Sequence, residues 1–291
     1  MPSLSIIIPT NRRAAILSQC LEHIERQTIA KDLEVIVVSD GHDPETVQAI
    51  SSQRSAVRFF EIPKSQQGVA RNRGIQMASA DLCLFIGDDI FLAPDACEKH
   101  LKIHQSYKLQ ATSYQLAILG FTTWDPSLEI TETMRWLDHT GWQFGYNRIT
   151  HYAHNCIPRH LQHRFTYTSH LSLPTSTAKE IPFREDVTLY GWEDMEWGMR
   201  LRDAGVRLFY EPDAKALHHH RITLEDSLRR METLGRSIVT LSHINPALDR
   251  MPQGWKFIAY KFLAMLPTMR GRHARAFLKG LEERFQEPRT K

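Results

Sequence analysis

The sequence predicts an α/β fold, with a mostly parallel central sheet flanked by helices and a helical carboxyl-terminal extension. Three observations carry this. Strand-length segments fall at Leu4 to Ile8, Leu33 to Val38, Val57 to Ile62 and Leu82 to Ile86, the last an apolar run too short for a helix. Strands and helical stretches then alternate over the first third of the chain, the signature of βαβ units. From Thr223 the pattern is helical almost to the end, with breaks at Asn245-Pro246, near Pro252 and near Pro267.

A chain of 291 residues can bury a substantial core as one large domain, with or without a small appendage. Its formal net charge of +3 is too small to make nucleic acid the main partner. Cys20, Cys83, Cys97 and Cys156 show no paired spacing. Cys20 and Cys83 fall on apolar positions, so we read them as buried free thiols of a reducing cytosol. The chain enters its first strand directly, without a basic start and a long apolar region, so no signal peptide is expected. No apolar run is long enough to span a bilayer.

Taken in order, the first strand stops at Pro9, and Thr10-Asn11 can cap a helix carrying Ile16, Leu17, Cys20, Leu21 and Ile24 at helical spacing. The second strand ends in Ser39-Asp40-Gly41, and a helix follows around Glu45 to Ser51. After the third strand comes the loop Ser65 to Gly68, then a helix over Val69 to Ala80. The strand Leu82 to Ile86 delivers Asp88 and Asp89 together at its carboxyl end, the edge where ligands sit in open α/β sheets. Adjacent acids repel and are costly to desolvate unless a cation or hydrogen-bond donors receive them. Oxygen ligands of this kind suit Mg²⁺ or Mn²⁺. Capping of a helix starting near Pro94 explains the pair equally well from this stretch alone. Thr10 and Asp40 follow the carboxyl ends of two further strands, so folding is expected to bring them to the same edge. Gly68 allows close backbone approach, and Arg71, one turn on, can reach a diphosphate. Neither GxGxxG nor GxxxxGK[ST] is present, which argues against a dinucleotide fold and a Walker loop.

Residues 100 to 180 read less regularly, with Trp124, Trp136, Trp142 and several histidines among polar residues, and with Phe165 to Leu173 as a strand. In the stretch from Gly191 to Leu201, Trp192, Met195 and Met199 share a helical face. Glu193 and Asp194 then fall in the first turn, where free N–H groups favour carboxylates and no catalytic role is required. The same two acids could serve as acceptor ligand and general base. Arg200, four residues after Glu196, reads as its partner in a surface ion pair. After the strand Val206 to Tyr210, extended chain makes His218 and His220 point together and His219 opposite. Imidazole suits Mn²⁺ or Zn²⁺, and the triplet gains weight only if folding brings it to Asp89. In the extension, Trp255, Phe257, Ile258, Tyr260, Phe262, Leu263 and Leu266 interleave with Lys256 and Lys261, ahead of Arg270, Arg272 and Arg275. Such a segment can lie on an anionic membrane. We favour packing on the main domain or another subunit, because the apolar positions wrap widely round the helix.

Six blocks in order resemble family 2 glycosyltransferases of the GT-A (Rossmann-like) fold. They are Ser5 to Arg12, Glu34 to Gly41, Gln67 to Gly74, Leu84 to Asp89, Gly191 to Glu196 and Pro212 to His218. The resemblance implies an inverting transfer from a nucleotide sugar, expected to be UDP-linked, to a glycan or lipid-linked acceptor. It implies that Pro9, Thr10, Asn11, Arg12, Asp40, Gly68, Arg71 and Asp88 hold the nucleotide. Asp89 and His218 would hold Mn²⁺ or Mg²⁺, Asp194 would be the base, and Glu193 and Trp192 would bind the acceptor. Gly87 stands where the family's DxD motif has its first acid, which leaves Asp89 as the motif's metal ligand. The implied domains are residues 1–222, a nucleotide-binding half to about 100 and an acceptor-binding half beyond, then the helical extension 223–291. The implied setting is cytoplasmic, with peripheral membrane contact or homo-oligomer formation through the extension left open. Competing readings are a nucleotide-sugar or glycan-binding scaffold with an altered site, a sugar nucleotidyltransferase, and a zinc-binding interaction protein built on the histidines. The nucleotidyltransferase reading wants a glycine-rich loop, which Pro9 to Arg13 lacks.

Overall fold

A computed structural model describes residues 2–51, 57–109, 115–187, 190–248 and 250–286. The first half runs β1 (Leu4–Thr10), α1 (Ala14–Glu25), β2 (Leu33–Asp40), α2 (Pro44–Ser51), β3 (Val57–Ile62), α3 (Gln67–Met77), β4 (Leu82–Ile86), β5 (Ile90–Leu92) and α4 (Ala96–Leu109). The middle runs β6 (Leu116–Trp124), α5 (Glu132–Thr140), β7 (Asn155–Cys156), α6 (Arg159–Gln162), β8 (His170–Pro174), α7 (Thr175–Glu180), α8 (Glu193–Asp203) and β9 (Arg207–His218). Three helices follow: α9 (Leu224–Ile244), α10 (Trp255–Met265) and α11 (Met269–Gln286).

Among the described residues one sheet forms in the order β3-β2-β1-β4-β8-β6-β9-β5, with β7 on β9. β3, β2, β1 and β4 are parallel, as the alternation of elements predicts. β8 then enters antiparallel between β4 and β6. Both faces are covered, so the strands are apolar on both sides. Ile7, Ile36, Val38 and Phe85 enter one core with Ala70, Ile75, Phe183 and Trp197. Their neighbours Ile6, Ile8, Val35, Val37, Leu84 and Ile86 enter the other with Leu17, Cys20, Leu21 and Ile24. This is the two-residue period of a strand seen from both sides.

The carboxyl-terminal helices add a third core, in which Ile238, Leu241, Phe277 and Leu281 meet Val187 and Met199. α9 opens with a reciprocal cap between Thr223 and Asp226, worth about 1 kcal/mol. It crosses α11 with backbones in direct contact: a Cβ on Gly235 would lie 2.1 Å from Phe277 O, and one on Gly280 1.9 Å from Glu232 O.

Several expectations need correction. Thr10-Asn11 does not cap α1; Arg13 takes that position without a side-chain cap, because the Thr10 hydroxyl donates to Asp88 and the Asn11 amide to Asp40 O. The expected strand 165–173 begins only at His170, and the expected strand 206–210 continues to His218. The helix expected over 69–80 spans Gln67–Met77. β6 and α5 lie in the stretch that read as irregular; α5 is capped by Thr131, whose hydroxyl accepts from Met134 N. The Glu196–Arg200 pair is not a surface pair, since Glu196 is buried. Packing accounts for α9 and α11 but not for the outer face of α10, where Trp255, Ile258, Phe262, Met265 and Leu266 are exposed. Residues 287–291 of the expected extension lie outside the described residues.

Three histidines are structural. His100 Nδ1 and His104 Nε2 both meet the buried Ser172 hydroxyl, at 2.7 and 2.9 Å, and the His170 ring lies 5.0 Å from that of His100. Burial pushes His104 down to about 3 and His170 down to about 4, and burial with the two neighbouring imidazoles holds His100 well below the usual histidine range. The unfolded chain takes up these protons below about 6.5, whereas the folded cluster stays neutral. Stability is therefore full above pH 6.5 and lost as pH falls towards 4, by up to about 1.4 kcal/mol per pH unit for each histidine. Thermal melts across this window should show that decline, and His104→Gln should flatten it. An unchanged slope in the variant would contradict the assignment.

Candidate active site at the carboxyl edge of the sheet

β4 ends at Ile86, and a tight turn closed by Ile90 N–H donating to Gly87 O carries Asp88 and Asp89 into β5. Both acids are buried. Asp88 accepts from the Thr10 hydroxyl at 2.8 Å and from Arg13 at 2.7 Å, and a second arm of Arg13 reaches Asp89 at 3.0 Å. Burial lifts Asp88 to about 6 despite Arg13, with the charge of Asp89 adding to the rise. Burial would lift Asp89 too, but hydrogen bonds from His218 and His220, with Arg13 beside them, hold it well below the usual carboxylate range.

The histidines arrive through register. Ile90 pairs with His218, and the His219 N–H donates to Asp89 O at 2.8 Å. Because side chains alternate along extended chain, His218 Nε2 and His220 Nδ1 both face Asp89 Oδ2, at 3.4 and 3.0 Å. His219 turns the other way, to Asp125 at 2.6 Å. The condition set by the sequence, that folding bring the triplet to Asp89, is met. His218 is held by packing, its ring 5.3 Å from that of Trp124, and its buried Nδ1 has no hydrogen-bond partner.

The ligand atoms of Asp89, His218 and His220 lie within 4.8 Å of one another, close enough to share one ion. One carboxylate oxygen and two imidazoles suit Mn²⁺ better than Mg²⁺, which prefers oxygen. Gly87 has a local reason. A Cβ there would sit 2.9 Å from Asp89 Oδ1, so a side chain would crowd the carboxylate. Beside this cluster opens a cavity of about 400 Å³ bordered by Arg12, Arg13, Glu45, His219, His220 and Arg221. The amino end of α1 also borders it, where first-turn N–H groups lack helical partners and favour anions.

A second group forms at the start of α8. Gly191 and Trp192 both adopt left-handed backbone, φ +107° and +68°, so the chain turns sharply before Glu193. A side chain at Gly191 would strike Leu234. Asp194 accepts from the Thr168 hydroxyl at 2.7 Å and from Thr168 N–H at 3.2 Å, with about a third of its side chain exposed. Thr168 lies two residues before His170, which pairs with Ile86, so the β4–β8 ladder draws Asp194 towards the acid pair. Arg71 is 4 % exposed, its guanidinium 3.9 Å from Asp194, and its Nε and one terminal nitrogen have no hydrogen-bond partner. The Glu193 carboxylate accepts from the Gln67 amide and Gly191 N–H; burial and then the charge of Asp194 hold it above the usual range.

The remaining candidates have other partners. Pro9 pairs with Val38 in the β1–β2 ladder. Asp40 accepts from Lys64 and Ser65 N–H, both at 2.6 Å. Arg12 has left-handed backbone, φ +53°, and its N–H donates to Asp43. Gly68 packs against Phe183 and Gln66. Trp192 spends its indole N–H on Leu234 O. Arg13 was not among the candidates, and His220 had been weighed with the triplet but given no role of its own. The signal for Arg13 was a basic residue just after β1, and for His220 its two-residue spacing from His218.

The family profile described as Glycosyl transferase family 2 matches residues 5–161. The chain is 28% identical over 224 residues to validoxylamine A glucosyltransferase of Streptomyces hygroscopicus subsp. jinggangensis, covering 71% of this chain and 53% of that protein. It spans about half the length of the curated relatives it matches first. In fold it is similar to the mannosyltransferase PcManGT of Pyrobaculum calidifontis in complex with GDP-Man and Mn²⁺, with TM-score 0.61, 14% identity, and 99% of this chain and 88% of that one covered. It is also similar to S. aureus TarS 1–349 in complex with UDP, with TM-score 0.56, 14% identity, and 98% and 91% covered. The mixed sheet with flanking helices is the GT-A arrangement of these structures.

The crowding at Gly87 generates a test. Gly87→Ala should weaken Mn²⁺ binding by about ten- to a hundredfold, read by titration calorimetry with the metal alone, because it displaces Asp89. An unchanged affinity would show that the glycine is not there to make room.

Proposed function

The chain belongs to glycosyl transferase family 2, and from that premise we propose that it transfers a sugar from a nucleotide sugar to an acceptor hydroxyl with inversion. The observation that carries this reading is the convergence of Asp89, His218 and His220 on one point beside a cationic cavity. We assign the donor diphosphate to that cavity, between the amino end of α1, Arg12, Arg13 and Arg221. Arg71 is a second cation for it or for the reacting oxygens: its buried guanidinium pairs with Asp194 at 3.9 Å, and two of its nitrogens lack hydrogen bonds that the oxygens of a bound anion would supply. Asp89, His218 and His220 would hold Mn²⁺, which when bound offsets the charge gathering on the departing diphosphate.

Asp194 is the general base. Two hydrogen bonds from Thr168 aim its carboxylate while leaving part of it open to solvent. An acceptor hydroxyl within hydrogen-bond reach gives its proton to Asp194 as it attacks the anomeric carbon from the face opposite the diphosphate, and one displacement inverts that centre. Glu193, with both oxygens taken by Gln67 and Gly191, holds the turn that presents Asp194. In this reading Glu193 positions the base, and Trp192 borders the acceptor side. Residues 1–222 carry the reaction. UDP is the first nucleotide to test, since one fold neighbour binds it, and GDP the second, since the other binds GDP-Man.

Calorimetry should show Mn²⁺-dependent UDP or GDP binding that Asp89→Ala abolishes; binding indifferent to metal, or none, would remove the donor-site assignment. Asp194→Asn should keep nucleotide binding while lowering the release of UDP or GDP from the sugar nucleotide, with water in the acceptor's place, about a thousandfold. Near-normal release would take Asp194 out of the mechanism.

A further inference from the structure

α10 is the place where this protein leaves apolar surface open. Of the large apolar side chains exposed among the described residues, most lie on or just after this helix: Trp255, Ile258, Phe262, Met265 and Leu266. Trp255 and Met265 are 75% and 76% exposed, values that rule out cover by the rest of the described chain. At 3.6 residues per turn these five positions fall within an arc of about 100°, one face of the helix. Phe257 and Tyr260 lie on the opposite side and pack on the α9–α11 core, which fixes the outward face.

Charge selects the occupant. Between residues 250 and 281 there are seven Lys or Arg and no Asp or Glu. At the chain's overall frequency of 33 acids in 291 residues, such a stretch would hold about three or four. Lys256 and Lys261 flank the apolar stripe, and Arg270 and Arg272 are exposed just beyond it. Lys261, Arg275 and Lys279 also border a cavity of about 310 Å³ between α10 and α11, with Glu282 at its edge. An apolar face rimmed by cations, with a tryptophan at its end, matches the boundary between anionic headgroups and acyl chains. A second copy of this chain would present the same positive field and be repelled. No described helix is long and apolar enough to cross a membrane, so the contact is one of lying on the surface.

We propose that the exposed face of α10 seats this protein on an anionic lipid bilayer, with Trp255, Ile258, Phe262 and Met265 entering the acyl boundary and the flanking cations meeting the headgroups. The proposal does not rest on the donor-site assignment. The test is flotation of the full chain with vesicles of phosphatidylcholine alone, or of phosphatidylcholine and phosphatidylglycerol in equal parts, at physiological ionic strength. The protein should float with the anionic vesicles only. Phe262→Ser with Met265→Ser should lower the bound fraction at least about tenfold, and Lys261→Glu with Arg272→Glu should do so as well. Circular dichroism of the variants should match that of the parent, since all four side chains are exposed. Absence of binding to anionic vesicles, or equal binding to both kinds, would overturn the proposal. So would light scattering that shows a dimer which Phe262→Ser with Met265→Ser dissociates, because the face would then belong to a second copy.

Discussion

Two carboxylates side by side at the end of a buried strand are the constraint around which the rest of this edge is built. Asp88 and Asp89 leave water together, and neither desolvation nor mutual repulsion can be relieved within the turn that carries them. Relief comes from two directions in sequence. Thr10 and Arg13 reach Asp88 from the end of β1, and Arg13 spans both acids. His218 and His220 reach Asp89 from the end of β9. The two acids consequently diverge: Asp88, with burial dominant, rises to about 6, while the histidines and Arg13 keep Asp89 low. A low-lying carboxylate between two imidazoles is a suitable cation ligand, and the raised one is held by hydrogen bonds.

The second group depends on backbone more than on charge. Consecutive left-handed residues at Gly191 and Trp192 turn the chain sharply, and the turn is held from behind by Leu234 on α9. α9 is in turn held by α11 through the contact of Gly235 and Gly280 with the facing backbones. The carboxyl-terminal helices therefore contribute to the placement of Asp194, although none of their described residues bonds to the acid pair. One member, α10, turns an apolar stripe away from the fold, with Trp255, Ile258, Phe262 and Met265 exposed.

Much of this was legible in one dimension because it depends on short-range rules. Strand length, helical period and the acid pair at a strand end can be read directly, and so can the shared direction of His218 and His220, since alternation along extended chain is a property of the backbone. The six ordered blocks carried the family. Less legible was whatever a partner distant in sequence decides. Thr10 looks like a helix cap until Asp88, 78 residues later, takes its hydroxyl. Glu196–Arg200 looks like a surface pair until its surroundings are buried. Gly87 reads as a missing acid until the Asp89 carboxylate is found 2.9 Å from where its Cβ would be.

By itself, then, the sequence determined the fold class, the acid pair at a strand end and, through its six ordered blocks, the family, because periodicity and motif order need no partner. Only the tertiary structure decided that His220 stands with His218 against Asp89, that Arg13 bridges the acid pair, that Thr168 orients Asp194 and that α10 is left uncovered. Each of these is a meeting of groups from separate elements. Such meetings follow from ladder register and helix packing over the whole domain, and no local window of residues contains them.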